Sequence, residues 1–180
     1  MGKRYLIVID MQNDFVDGAL GTPEAQAIAP AVVEAARSFD GEVVFTLDTH
    51  GDDYLSTQEG ANLPVAHCIR GTDGWQLIDG LGAIRRDRES PVFEKPAFGS
   101  PALAHWLAQE NAADPIESIE LVGVCTDICV VSNALIIKAT LPEVPVSVDA
   151  SLCAGVTPEA HRAALETMAS CQVAILNRAS

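Results

Sequence analysis

The sequence predicts an α/β protein, a three-layer α/β/α arrangement around a mostly parallel sheet of about six strands. Three observations carry that prediction. Short apolar runs alternate with segments of helical spacing along the whole chain. Several of these runs stop on a polar or reactive residue, the pattern of parallel strands whose carboxyl ends open on a site. No repeat, low-complexity stretch or linker interrupts the alternation, and 180 residues suffice for one domain, 1–180, with a sizeable core.

Residues 5–9 form the first apolar run, ending at Asp10. Residues 23–39 have helical spacing, with Ile28, Val32, Ala35, Ala36 and Phe39 on one face and Thr22 as N-cap ahead of Pro23. Residues 42–47 are β-branched and apolar and end at Asp48. Residues 49–70 are rich in Gly, Asp, Asn and Pro and read as one long irregular region, a length that in a compact domain usually marks function. A short helix is predicted over 74–81, a brief strand over 91–93 just ahead of Lys95, and a helix over 101–109 with Ser100 as N-cap. A strand over 116–122 leads into a helix over 126–140. A strand over 144–148 ends at Asp149, a helix over 158–170 is capped by Thr157, and residues 172–176 form the last strand.

Composition narrows the function classes. A formal net charge of −14 argues against nucleic acid or an anionic membrane surface as partner and says little about a small-molecule substrate. No apolar run approaches the roughly 20 residues of a membrane span. The N-terminal residues run directly into a strand without a cleavable segment, so the reading is cytoplasmic. Five cysteines, an odd number in a chain of this size, fit reduced thiols better than a disulfide framework.

In an open parallel sheet the carboxyl ends of the strands share one edge. The residues predicted there are Asp10, Asp48 with His50, Lys95, and Cys125 with Cys129. A carboxylate, an ammonium and a thiol converging at one edge match the needs of nucleophilic catalysis, with Asp10 taking a thiol proton, Lys95 stabilising the anions and Cys129 attacking a carbonyl carbon. A cysteine at a strand-to-helix turn also lies where helix N–H groups favour a thiolate and can hold an oxyanion. Taken one at a time, Asp10 also reads as a turn residue, Lys95 as a solvated amine and the cysteines as small buried residues.

A second group comprises Asp48 and His50, followed by Glu59 and His67. Residues two apart in extended backbone face the same way, so Asp48 and His50 can point at one ion. Imidazole with carboxylate suits Zn²⁺, Fe²⁺ or Mn²⁺ and leaves positions open for water or substrate. The alternative is an exposed loop histidine at 50 and a buried one at 67. His105 and His161 fall in helical patterns and read as ordinary surface or core residues.

These pieces together resemble the isochorismatase-like cysteine hydrolases and, within them, the nicotinamidases. The matching stretches are Leu6-Ile7-Val8-Ile9-Asp10-Met11-Gln12-Asn13-Asp14-Phe15, Asp48-Thr49-His50, His67-Cys68-Ile69-Arg70-Gly71-Thr72, Lys95-Pro96-Ala97-Phe98-Gly99-Ser100, and Gly123 through Val130. They occur in the family's order over most of the chain. The resemblance implies a triad of Asp10, Lys95 and the nucleophile Cys129. It implies that Cys125 is not the nucleophile, matching a position where relatives often carry alanine. It further implies a cis bond between Val124 and Cys125, and an oxyanion hole made by the N–H groups of Cys125 and Cys129. One divalent metal ion (Zn, Fe or Mn) is implied on Asp48, His50 and His67, with Glu59 as an added acidic ligand, and Phe15 is implied to pack on the substrate ring. The implied reaction is hydrolysis of a small amide, nicotinamide to nicotinate and ammonia. Homo-oligomerisation is a family expectation.

The chain departs from that pattern in three places. Thr49 stands where nicotinamidases very often have tryptophan, Asp53 near a place where many have another histidine, and Leu63 or Pro64 where several have a tryptophan against the ring. The rival readings are a carbamoyl amidase or an isochorismatase on the same fold, and a catalytically silent binding domain. The histidine set argues against the first two, and the intact Asp10, Lys95 and Cys129 against the last. A thiol–disulfide role for Cys125 and Cys129 does not fit their spacing of four.

Overall fold

A computed structural model describes residues 2–178 of the chain. Its sheet has six strands: β1 (Lys3–Ile9), β2 (Glu42–Asp48), β3 (Val92–Lys95), β4 (Ile116–Val124), β5 (Val146–Ala154) and β6 (Ala174–Leu176). Their order is β3-β2-β1-β4-β5-β6, and every neighbouring pair is parallel. The helices are α1 (Asn13–Val16), α2 (Pro23–Ser38), α3 (Gln58–Asn62), α4 (Asp79–Asp87), α5 (Pro101–Ala113), α6 (Val131–Thr140) and α7 (Pro158–Ser170).

Alternation along the strands divides the core in two. Leu6, Val8, Phe45 and Val122 pack beneath α2 and α4 with Val32, Ala36, Leu81 and Ile84. Ile7, Ile9, Ile119 and Leu121 pack on the other face with Leu103 and Leu107 of α5, Ile137 of α6, and Leu165 and Met168 of α7. Both faces are covered, as the near-continuous apolar strands require. The predicted three layers are therefore present. Each fully buried Leu, Ile or Val contributes roughly 1.5–3 kcal/mol.

Three helices start in the same way. Thr22, Ser100 and Thr157 each accept the N–H of the residue three positions on (Ala25, Leu103 and Ala160), and each is followed by proline. Proline lacks the N–H that would be orphaned there and presets helical φ. Thr157→Ala is expected to lower stability by about 1 kcal/mol. Thermal unfolding of a chain this size should show it as a drop of roughly 2–4 °C in Tm.

Chain connectivity reverses beside β1: the first three strands extend one way, and β4 returns to the other side of β1. This switch point is where ligands bind in open α/β sheets. Gly123 makes the close approach there possible. Its φ is +116°, and a Cβ would stand 2.2 Å from the Ile9 carbonyl oxygen, so only glycine fits.

Some predicted elements are displaced. Residues 49–70 are not wholly irregular, since they contain a 3₁₀ turn (Tyr54–Ser56) and α3. The helix predicted over 74–81 begins only at Asp79. Residues 74–78 instead bond the entry to α1, where Asn13 and Asp14 N–H donate to Gln76 and Gly74 carbonyls and Ile78 N–H to that of Met11. Backbone committed there cannot also close helical bonds. The helix predicted over 126–140 opens with a π-type turn, Thr126–Val130, because the N–H groups of Ile128 and Val130 both donate to the Cys125 carbonyl. No described helix is long and apolar enough to cross a membrane.

Candidate active site

The carboxyl edge of β1, β2, β3 and β4 brings together Asp10, Asp48, Lys95 and Cys129. Asp10 follows β1 with φ +48°, a left-handed conformation that Asp tolerates better than most residues. It is fully buried. Its Oδ1 accepts the Thr46 hydroxyl at 2.6 Å, and its Oδ2 lies 2.6 Å from Lys95 Nζ. Lys95 is the one charged partner of Oδ2 among the described residues, and a further lone pair stays available to a proton. Lys95 ends β3 with 1 % exposure. Its Nζ also lies 3.4 Å from Asp48 Oδ1, 3.4 Å from Cys129 Sγ and 3.2 Å from the Ala97 carbonyl oxygen.

Burial and charge compete across this group. Burial pushes the Asp10 carboxyl up from its ordinary 3.8, and Lys95 pulls it back. Burial alone would lower Lys95, but Asp10, Cys129 and Asp48 hold its ammonium firmly protonated. Cys129 is raised well above the usual thiol range by burial and by the Asp10 carboxylate, with Lys95 opposing. Burial and the Asp10 carboxylate thus work against the thiolate that the turn's N–H groups and Lys95 favour.

Cys129 lies inside the π-type turn, and Cys125 opens it. The Val124–Cys125 peptide bond is cis, as the resemblance implied. Burial pushes the Cys125 thiol up to about 12, which leaves it protonated and inert at neutral pH.

The second group also converges. Asp48, His50, Glu59 and His67 each offer one ligand atom, all within 4.8 Å of one another. His50 Nε2 and His67 Nε2 lie 2.9 and 3.5 Å from Asp48 Oδ2, and 3.7 and 3.9 Å from Glu59 Oε1. A parallel bridge between His50 and Ile69 carries the His67 loop to the end of β2. His67 Nδ1 faces the Val65 carbonyl at 2.8 Å, which fixes the proton on Nδ1 and turns the Nε2 lone pair inward. Burial pushes the Asp48 carboxyl up, but hydrogen bonds from His50 and His67 and the charge of Lys95 outweigh it and hold the group well below the usual carboxylate range. Two imidazoles and two carboxylates form a donor set that fits Zn²⁺, Fe²⁺ or Mn²⁺.

A cavity of about 250 Å³ is lined by residues of both groups, Asp48, Glu59, His67, Cys125 and Cys129, together with Phe15, Leu63 and Phe98. The Phe15 ring is 5.5 Å from that of His67. A larger open groove of about 700 Å³ past Trp75 and Glu94 contains none of Asp10, Lys95, Cys125 or Cys129.

Sequence reasoning missed four supports of the site. Thr46 holds Asp10. Gln12 clamps Asp48 by accepting its N–H at 2.8 Å and donating to its carbonyl at 2.9 Å. Asp14 accepts the Cys68 N–H at 2.7 Å beside His67. Tyr54 packs its ring 4.6 Å from His50 and 4.9 Å from His67. A threonine inside an apolar strand and a lone aromatic in a polar loop were the available signals.

Comparison with known proteins agrees with this architecture. The isochorismatase domain model matches residues 4–180, and the chain belongs to that family. It is 30 % identical to the nicotinamidase/pyrazinamidase of Mycobacterium tuberculosis, with 96 % of this chain and 98 % of that one covered. The crystal structure of nicotinamidase/pyrazinamidase PncA from Bacillus subtilis superposes with a TM-score of 0.83 at 28 % identity, covering 97 % and 100 % of the two chains. The pyrazinamidase of Pyrococcus horikoshii in complex with zinc gives a TM-score of 0.79 at 27 % identity, covering 98 % and 99 %.

Proposed function

We propose that the protein is a hydrolase of amide carbon–nitrogen bonds that deamidates a small aromatic carboxamide, nicotinamide, to the carboxylate and ammonia through a thioester on Cys129. The observation that carries this reading is a cavity lined by both Cys129, which Lys95 and Asp10 back, and Asp48, Glu59 and His67 of the candidate metal group. The names of the relatives above point to the same substrate class.

The Cys129 proton passes to Asp10 Oδ2 as sulfur attacks the amide carbon, and Lys95 stabilises the transient thiolate. The N–H groups of Cys125 and Cys129 receive the oxyanion. Collapse breaks the C–N bond, and Asp10 returns its proton to the departing ammonia. Water then loses a proton to Asp10 as it attacks the thioester, the C–S bond breaks, and the thiol regains the proton. Asp48, His50, Glu59 and His67 would hold a divalent ion, which when bound would supply Lewis acidity towards a ring nitrogen of the substrate. Phe15 packs on the ring and orients the amide over sulfur.

The whole chain works as one unit, 1–180, without nucleic acid. The five free cysteines suit a reducing compartment, the cytoplasm. Ammonia release from a panel of amides is the test. Nicotinamide is expected to turn over, and chelator-stripped protein to lose at least about 100-fold in kcat/KM, restored by Zn²⁺, Fe²⁺ or Mn²⁺. Full activity in verified metal-free protein would remove the metal's role, and no release from nicotinamide would remove the substrate.

A further inference from the structure

The turn that carries Cys129 is fastened to α7 and to the loop ahead of it. Thr126 is fully buried, and its hydroxyl pairs with His161 Nδ1 at 2.8 Å. The next residue, Asp127, accepts the Val156 N–H on Oδ1 at 2.9 Å. Gly155 lies at this contact. A Cβ there would stand 2.8 Å from Asp127 Oδ1 and 3.0 Å from both Cβ and N of His161, so a larger residue would push the turn and α7 apart. Within the turn, the bonds from Ile128 and Val130 both close on the Cys125 carbonyl. Thr126 and Asp127 thus tie this small loop to α7 and the loop ahead of it, and both stand between Cys125 and Cys129.

We propose that His161 is a positioning residue that acts through Thr126 to hold the Cys125–Cys129 turn in its reactive geometry. The inference rests on the amidase reading for its kinetic consequence alone. Cys129 Sγ must meet both Lys95 Nζ and the amide carbon, and the N–H groups at the two ends of the turn must meet one oxyanion. A displacement of about 1 Å in such a constellation costs about 100-fold. Burial holds His161 below its ordinary pKa, with Arg162 acting the same way and Asp127 opposing. The ring is therefore neutral when it pairs with the Thr126 hydroxyl.

The test compares His161→Leu, which removes the hydrogen bond, with His161→Asn, which returns a polar atom near the position of Nδ1, in the full-length metal-loaded protein. Hydrogen exchange at the Ile128 and Val130 amides is expected to quicken at least about 10-fold in His161→Leu and to return toward wild type in His161→Asn, with exchange in the rest of α6 unaltered. In ammonia release, His161→Leu is expected to lower kcat about 10–100-fold with KM moved less than about threefold, and His161→Asn to recover most of the loss. Wild-type exchange in His161→Leu overturns the tether, as does a loss that His161→Asn fails to recover. Because exchange needs no substrate, a wild type that hydrolyses no amide counts against the amidase reading alone. Should His161→Leu fail to fold, Thr126→Ser and His161→Gln shift the same contact more gently and are read by the same two measurements.

Discussion

Cys129→Ala is expected to lower the turnover number for amide hydrolysis about 10⁵–10⁶-fold, the scale seen when a covalent nucleophile is deleted. The site offers no substitute. Lys95 Nζ, the proposed stabiliser of the anion, lies 3.4 Å from Cys129 Sγ. Cys125 also lines the cavity, but its thiol is pushed up to about 12 by burial. Cys68 and Cys153 are buried and raised still further, and Cys171 is exposed outside the cavity. Removing one sulfur from a buried position costs on the order of 1 kcal/mol, so the variant should remain folded. Binding should survive, since the proposed metal ligands and Phe15 are untouched. Isothermal titration with the amide, beside an ammonia assay, separates the two effects. Substantial turnover by the variant would remove Cys129 from the mechanism. Cys171→Ser serves as the control that keeps full turnover.

Much of this site is legible in the chain because a parallel sheet turns sequence position into spatial position. Asp10, Asp48, Lys95 and Cys129 lie 38, 47 and 34 residues apart in succession. Each nonetheless stands at or just past the carboxyl end of its strand, and that edge is shared. Cap chemistry was legible for a similar reason: a Thr or Ser directly before proline carries its whole signal within four residues. What escaped was non-local. The pairing of His161 with Thr126 joins residues 35 apart, and helical spacing made His161 look ordinary. Thr46 was hidden by its own β-propensity, which explains it in a strand without any partner. The helix assigned to 74–81 failed because its backbone pairs with residues 60 or more positions earlier, a competition that local propensity does not register. The pull of burial and Asp10 on the Cys129 thiol also acts across the sheet, beyond what the turn alone carries.

The same long-range balance predicts the outcome for Lys95→Met, which keeps the volume of the side chain and removes its charge. Lys95 faces Asp10 at 2.6 Å and Asp48 at 3.4 Å, and breaking a buried pair by deleting one partner costs about 3–5 kcal/mol. Asp10 bears most of this cost because it is fully buried and already raised above 3.8, and the loss of Lys95 raises it further. The sign of the pH dependence follows. A carboxyl whose folded pKa is raised destabilises nothing below the unfolded pKa, where it is neutral in both states. Stability is then lost as pH rises toward the folded pKa, because only the unfolded chain can ionise. Urea denaturation should therefore find the variant's deficit small near pH 4 and much larger at pH 8. Turnover should fall by about 10²–10⁴-fold at neutral pH, since a protonated Asp10 accepts no thiol proton. Adding Asp10→Asn removes the stranded charge, so the double variant should regain stability at pH 8 and remain inactive. Equal stability of Lys95→Met and wild type at pH 8 would mean that the ion pair does not carry the charge balance of this edge. Activity in the double variant would take the proton-transfer role away from Asp10.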